Sequence, residues 1–99
     1  MKKAYKMEVK HKQLDGEGKF FLEENGKEIG EMTYIVVDDH TIDINHTLID
    51  KSYRGKDLGL KLIEKSAQFM RTNNLKAIPS CPYVDKVFSE NSKYNDLRA

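Results

Sequence analysis

Hydrophobic and polar positions follow two different periods along the chain. Up to about residue 49 the apolar positions come in short runs, partly alternating with polar ones, as strands require; beyond residue 55 they recur every three or four residues, as a helix requires. The run "KFFLEE" (Lys19 to Glu24) leads into Asn25-Gly26, a strong hairpin signal. The following "EIGEMTYIVV" (Glu28 to Val37) is rich in the β-branched and aromatic residues that strands favour. Asp38-Asp39-His40 forms a polar turn, and "TIDINHTLI" follows with Ile42 and Ile44 on one face and Asp43 and Asn45 on the other. Strict alternation then puts His46 on the Ile42/Ile44 face. The first half is expected to be an antiparallel meander.

In the second half, Leu58, Leu62, Ile63, Ala67, Phe69 and Met70 stripe one side of a helix, with Lys56, Lys61, Lys65 and Arg71 on the wet side. Asn73-Asn74 stops that helix, and "LKAIP" (Leu75 to Pro79) returns as a short apolar strand. Strand, crossover helix and strand make a βαβ unit, so residues 42–49 and 75–78 are expected side by side and parallel. Pro82 suits the first turn of a second short helix, Tyr83 to Ser89, and the polar "ENSKYNDLRA" at the end is expected to fray. The fold class is α/β (α+β) in one domain, residues 1–99, since 99 residues leave no room for a second core.

Composition narrows the function classes. Seventeen basic and sixteen acidic residues give a net charge of +1, so there is no general attraction to nucleic acid or to a membrane surface. Basic residues do gather near the start (Lys2, Lys3, Lys6, Lys10 and Lys12 against Glu8), which fits a solvated arm or edge strand. No apolar run is long enough to span a bilayer, and no apolar segment follows the first lysines as in a signal peptide; a soluble, cytoplasmic protein is expected. The single Cys81 excludes an internal disulfide and cannot by itself build a zinc site; it is a packed thiol or a reactive one. His11 and His40 have no carboxylate or cysteine at ligand spacing, so neither is assigned to a metal. Phe20, Phe21, Tyr34 and Phe69 are expected in the core.

The chemistry-bearing stretch is "IDKSYRGKDLGLKLIEKS", Ile49 to Ser66. A strand that ends in a glycine-containing turn and opens a helix gathers unpaired backbone N–H groups at the positive end of the helix dipole, which attracts anions. Taken alone, an Arg-Gly pair is equally compatible with a sharp bend that binds nothing. The whole stretch resembles the acetyl-coenzyme A signature of the GNAT acetyltransferase superfamily, with Arg54, Gly55, Lys56, Asp57, Leu58 and Gly59 at the motif positions. "INHT" (Ile44 to Thr47) and "LKAIPSCPYV" (Leu75 to Val84) resemble the small single-domain GNAT-like proteins of about a hundred residues, and the likeness runs from about Lys19 to Leu97.

That resemblance implies a minimal GNAT-like fold, acetyl-coenzyme A as the cofactor, and N-acetyl transfer to an unidentified amine. It implies that the turn amides of Arg54 to Gly59 hold the pyrophosphate, and that main-chain groups at Leu48 and Ile49, beside a splayed neighbouring strand, bind the pantetheine arm. Asp57 stands where the motif has glycine and brings a negative charge next to the phosphates, so weakened binding is expected, with Lys61 four residues on to draw the carboxylate away. His46 is the candidate base or else a packed histidine, and Cys81 is either a catalytic thiol or part of the pocket wall. Tyr83, opening the second helix, is a lesser candidate for a general acid. Full-length GNAT enzymes carry further strands around the acceptor, so here the acceptor side is open or completed by a protein partner. The competing function is a non-catalytic coenzyme A-binding or protein-interaction module. A nucleic-acid binder using the basic arm is the third.

Overall fold

The computed structural model describes residues 7–99, and the lysines at positions 2, 3 and 6 lie outside the described residues. The expected meander forms, with one strand added in front. Strands β1 (Met7–Leu14), β2 (Glu17–Glu24), β3 (Lys27–Asp38) and β4 (Thr41–Ile49) pair antiparallel in sequence order. The crossover helix α1 (Leu58–Thr72) brings β5 (Lys76–Pro79) alongside β4 in parallel. Among the described residues this completes a five-stranded sheet in the order β1-β2-β3-β4-β5. Helix α2 (Pro82–Glu90) follows, with Pro82 in its first turn as expected. No helix among the described residues is long and apolar enough to cross a membrane.

All the helical elements pack on one face of the sheet, because only that face alternates apolar. Phe20, Leu22, Met32, Tyr34, Ile42 and Ile44 point into the core, where Leu62, Ile63 and Met70 of α1 meet them fully buried. Each such side chain contributes roughly 1.5–3 kcal/mol by leaving water. The opposite face, with Lys19, Phe21, Glu31, Thr33, Ile35, Asp43 and Ile78, has no layer over it among the described residues. Phe21 is therefore not the core aromatic expected of it; it carries Lys19 Nζ 5.1 Å above its ring. His11 also differs from expectation. Pointing inward from β1, it stacks on Phe20 at 4.0 Å, meets Phe69 edge-on at 4.4 Å and shares a 2.8 Å hydrogen bond with the Tyr34 hydroxyl.

The last residues do not fray. Ser92–Leu97 winds into a 3-10 helix that buries Tyr94 and Leu97, and Ala99 N–H donates to the Ala77 carbonyl at 2.9 Å. Tyr94 stacks on Phe88 with ring centroids 5.4 Å apart and donates its hydroxyl to Glu64 of α1. A polar composition hid this contact because two apolar residues three apart are enough to anchor one 3-10 turn.

Strict alternation fails in β4, and the failure positions the site. Thr33 pairs with His46 and the next residue, Tyr34, pairs with Ile44, so Asn45 is an extra residue, a β-bulge. Thr33 Oγ1 donates to Asn45 Oδ1 at 2.6 Å across the bulge. One inserted residue exchanges the faces of everything after it. Thr47 and Ile49 turn to the helical side, and His46 turns out, its side chain 48% exposed, with Nε2 3.3 Å from Glu31 Oε2. The expectation that His46 shares the Ile42/Ile44 face is corrected accordingly.

Candidate functional site

Pairing between β4 and β5 ends at Ile44–Pro79. The Cys81 N–H closes the pair by donating to the Ile44 carbonyl at 2.9 Å, and β4 runs on to Ile49 with no β5 residue beside it. Proline suits this point because it has no N–H to leave unpaired. The two strands part as the likeness to GNAT proteins implies.

A cleft of about 370 Å³ opens where they part. Thr47, Leu48 and Ile49 of β4 form one wall, Tyr53, Arg54, Gly55 and Asp57 of the following turn form the rim, and Leu58 and Gly59 of α1 form the floor with Tyr83 of α2. Of the eight residues singled out for cofactor binding, seven line this cleft. Lys56 is the exception: its ammonium stands 5.5 Å above the Tyr53 ring. A larger groove of about 530 Å³ between the first two strands and α1 is walled by Met7, Val9 and Leu22 and by side chains of α1 from Leu60 to Gln68.

The rim owes its shape to two residues with left-handed backbone. Gly55 has φ 82°, which glycine adopts without cost. Asp57, the N-cap of α1, has φ 58° and ψ 29°, a conformation in which aspartate is tolerated but glycine is at ease. The motif glycine that Asp57 replaces thus has a backbone reason as well as a steric one. Its carboxylate makes no capping bond to the helix, and among the described residues it forms no ion pair with Lys61. Leu60 N–H reaches back to the Asp57 carbonyl at 3.2 Å, while the N–H groups of Leu58 and Gly59 belong to the first turn, which has no intrahelical acceptor. Arg54, also on the rim, is partly engaged: its Nε donates to the Ile49 carbonyl at 3.1 Å and pins the end of β4.

Gly59 is where α1 and α2 touch. A Cβ there would fall 2.7 Å from the Tyr83 hydroxyl and 2.8 Å from its ring. Burial pushes the Tyr83 hydroxyl pKa above its ordinary value, helped by negative charge at Asp57 and then at Cys81. Cys81 itself is buried at the N-cap of α2, with its Sγ 3.4 Å from Thr47 Oγ1. The two candidate catalytic residues are therefore parted by the sheet: Cys81 is on the helical side next to the cleft, and His46 is on the open face with Glu31. Thr47 and Tyr53 stand in the stretches that carry the family likeness but were given no role from the sequence, and the Glu31 partner of His46 was not singled out at all. The bulge that reorients Thr47 and His46 leaves no trace in the hydrophobic pattern.

Comparison with known proteins agrees with this geometry. A curated relative, Protein NATD1 of Danio rerio, is 32% identical over 60 residues, which make up 61% of this chain and about half (54%) of that protein's length. A GCN5-like protein of Staphylococcus aureus, solved in solution, has 30% identity and a TM-score of 0.72 over 93% of this chain and 87% of its own. A GNAT family acetyltransferase from Elizabethkingia anophelis, solved with acetyl-CoA bound, shares the fold at a TM-score of 0.61 and 13% identity, over 81% of this chain and 54% of its own. Residues 19–97, which hold most of β2, all of β3 to β5, the cleft and its two helices but not β1, match the family model described as GCN5-related N-acetyl-transferase, and the chain belongs to that family.

Proposed function

We propose that the protein binds acetyl-coenzyme A in the cleft between β4, the 53–57 turn and α1, and transfers the acetyl group to an amine. The observation that carries this is the meeting of an unpaired strand edge with a helix N-terminus across a turn that Gly55 and Asp57 hold open. Those features fit an elongated ligand with an amide-bearing arm and a diphosphate end. Acetyl-coenzyme A supplies a thioester-activated acetyl group. The amides of the turn and of the first turn of α1 hold the anion, and the main chain at Leu48 offers bonds to the arm. The Ile49 carbonyl is the exception, since Arg54 already occupies it.

Tyr83 is protonated at neutral pH as tyrosines ordinarily are, and burial, with nearby negative charge, disfavours the phenolate further. Its hydroxyl is the group on the cleft side able to donate to a departing thiolate. His46, oriented by Glu31, is the group on the open face able to take a proton from an incoming amine. Cys81, beside Thr47, is the covalent alternative. The bare sheet face leaves the acceptor side open, or covered by a protein partner, and a cytoplasmic setting belongs to the same proposal.

One observation favours the second function, a binding module without turnover: the Asp57 carboxylate at the rim makes no capping bond and, among the described residues, no ion pair. Calorimetric titration with acetyl-coenzyme A, desulfo-coenzyme A and inorganic phosphate tests the site. Saturable binding of both coenzymes, with phosphate far weaker, supports it, and silence at millimolar ligand removes it. A Cys81 thiol that reacts quickly at neutral pH and is protected by coenzyme A supports the enzyme. An inert thiol with intact binding supports the module.

A further inference from the structure

Among the described residues, the open face of the sheet holds one carboxylate oxygen that is buried without a hydrogen-bond partner. Asp43 lies opposite the buried Ile42 and Ile44, on the outward side of β4, and its Oδ1 is shut off from solvent with no hydrogen-bond partner. Several other charges on this face are already engaged, among them Lys76, two residues before Ile78 on β5, which donates to the Asp96 carbonyl. Lys10 pairs with Glu23 at 2.8 Å, Lys19 with Glu28 and Glu31, and His46 with Glu31. In register, Asp43 is flanked by Ile35 on β3 and Ile78 on β5, whose side chains stay 43% and 39% exposed. A buried polar atom without a partner is uncommon and needs a cause. A half-buried carboxylate between two exposed aliphatic walls suits a cation on an alkyl chain, which would pair with the carboxylate from its exposed side while its methylenes cover the isoleucines.

We infer that Asp43 is an acceptor-recognition residue that binds the ammonium of an aliphatic diamine. Its place in the sheet connects it to the cleft: the Asp43–Ile78 pair is the rung immediately before Ile44–Pro79, where β4 and β5 part. The ammonium that Asp43 holds is not the nitrogen that reacts. Pairing with a carboxylate in a partly desolvated site favours the charged form, whereas the attacking amine must lose its proton. The acceptor therefore carries a second nitrogen, which reaches the gap at Asn45, two residues or about 7 Å along the strand. A lysine-length aliphatic chain covers that distance. In its meaning for the reaction, this inference rests on the acetyl-transfer proposal; the binding itself does not.

The test is an NMR titration of the isotope-labelled full chain with diaminobutane, butylamine and butanol, without coenzyme A. Both amines should shift the amide signals of Ile35, Asp43 and Ile78, the neutral alcohol should not, and Asp43→Asn should weaken the amines at least fivefold. Ile78→Thr, an exposed change at the sheet edge, should weaken them as well and covers the case in which Asp43→Asn does not fold. Equal response to the alcohol, shifts confined to another surface, or unaltered amine affinity in the folded variants overturns the inference. A parallel titration of the unmodified chain with acetyl-coenzyme A separates the two proposals. Coenzyme binding without diamine binding removes only the acceptor site, and the converse removes only the acetyl-transfer proposal.

Discussion

At the scale of single residues, Asp57 carries the main tension in the molecule. It holds a left-handed backbone at the N-cap, and its carboxylate, without a capping bond, stands at the rim of the cleft. Replacing it with glycine removes both the backbone cost and the like-charge repulsion, each about 1 kcal/mol. Asp57→Gly should bind acetyl-coenzyme A about five- to tenfold more tightly in calorimetry, and unchanged affinity would show that the carboxylate already points away from the ligand. Two residues on, Gly59 has the opposite constraint, space rather than backbone. Gly59→Ala would drive a methyl against Tyr83, whose hydroxyl lies 2.7 Å from the added Cβ. Overpacking of this kind costs roughly 1–3 kcal/mol. A drop in thermal midpoint together with weaker coenzyme binding is expected, and Tyr83→Phe in the same chain should recover little, since the ring carbons clash as closely as the oxygen. The sequence marks Gly59 only as a motif position; its tyrosine neighbour is 24 residues away and appears only in three dimensions.

At the scale of elements, the regular parts of the fold were legible and the irregular parts were not. The Asn25-Gly26 hairpin, the α1 stripe and the parallel return of β5 follow from period and turn chemistry, and all of them form. The bulge at Asn45 does not follow, because a single inserted residue changes which face a side chain takes without changing which residues are apolar. β1 was legible only as an edge, and its anchor was missed for a related reason: a histidine among lysines reads as polar until Phe20 and Phe69 close on it. That anchor has a pH consequence. Burial, with Lys65 nearby, holds the His11 pKa below its ordinary value. The unfolded chain therefore binds this proton more readily than the folded one. The contribution to stability is complete above about pH 6.5, the unfolded value, and is lost as pH falls from there towards the lower folded value. Denaturant midpoints taken from pH 7.5 down to 5 should fall more steeply for the wild-type chain than for His11→Gln, and parallel curves would show that protonation of His11 does not loosen β1.

At the scale of the whole molecule, a sheet covered on one face needs both helices held firmly, since the cleft is built from the first residues of each. The C-terminal 3-10 segment supplies that hold. Tyr94 stacks on Phe88 of α2 and bonds Glu64 of α1, while Arg71 of α1 reaches Asp96 at 3.0 Å and the Lys93 carbonyl at 2.7 Å. Deleting a large buried aromatic side chain costs about 3–5 kcal/mol, a large share of the roughly 5–15 kcal/mol that keeps a domain folded. Tyr94→Ala should therefore lower Tm by more than about 10 °C, whereas Tyr94→Phe keeps the stacking and loses one hydrogen bond, about 1 kcal/mol, or several degrees. Because Tyr94 is not among the residues that line the cleft, its loss should also separate stability from chemistry. Coenzyme binding by Tyr94→Phe, measured well below its Tm, should match the wild-type chain. If the phenylalanine variant binds poorly while remaining folded, the 3-10 segment sets the geometry of the cleft itself, through the relative placement of α1 and α2. If even Tyr94→Ala melts within a few degrees of the wild type, the segment does not brace the helices, and the cleft depends on the sheet alone.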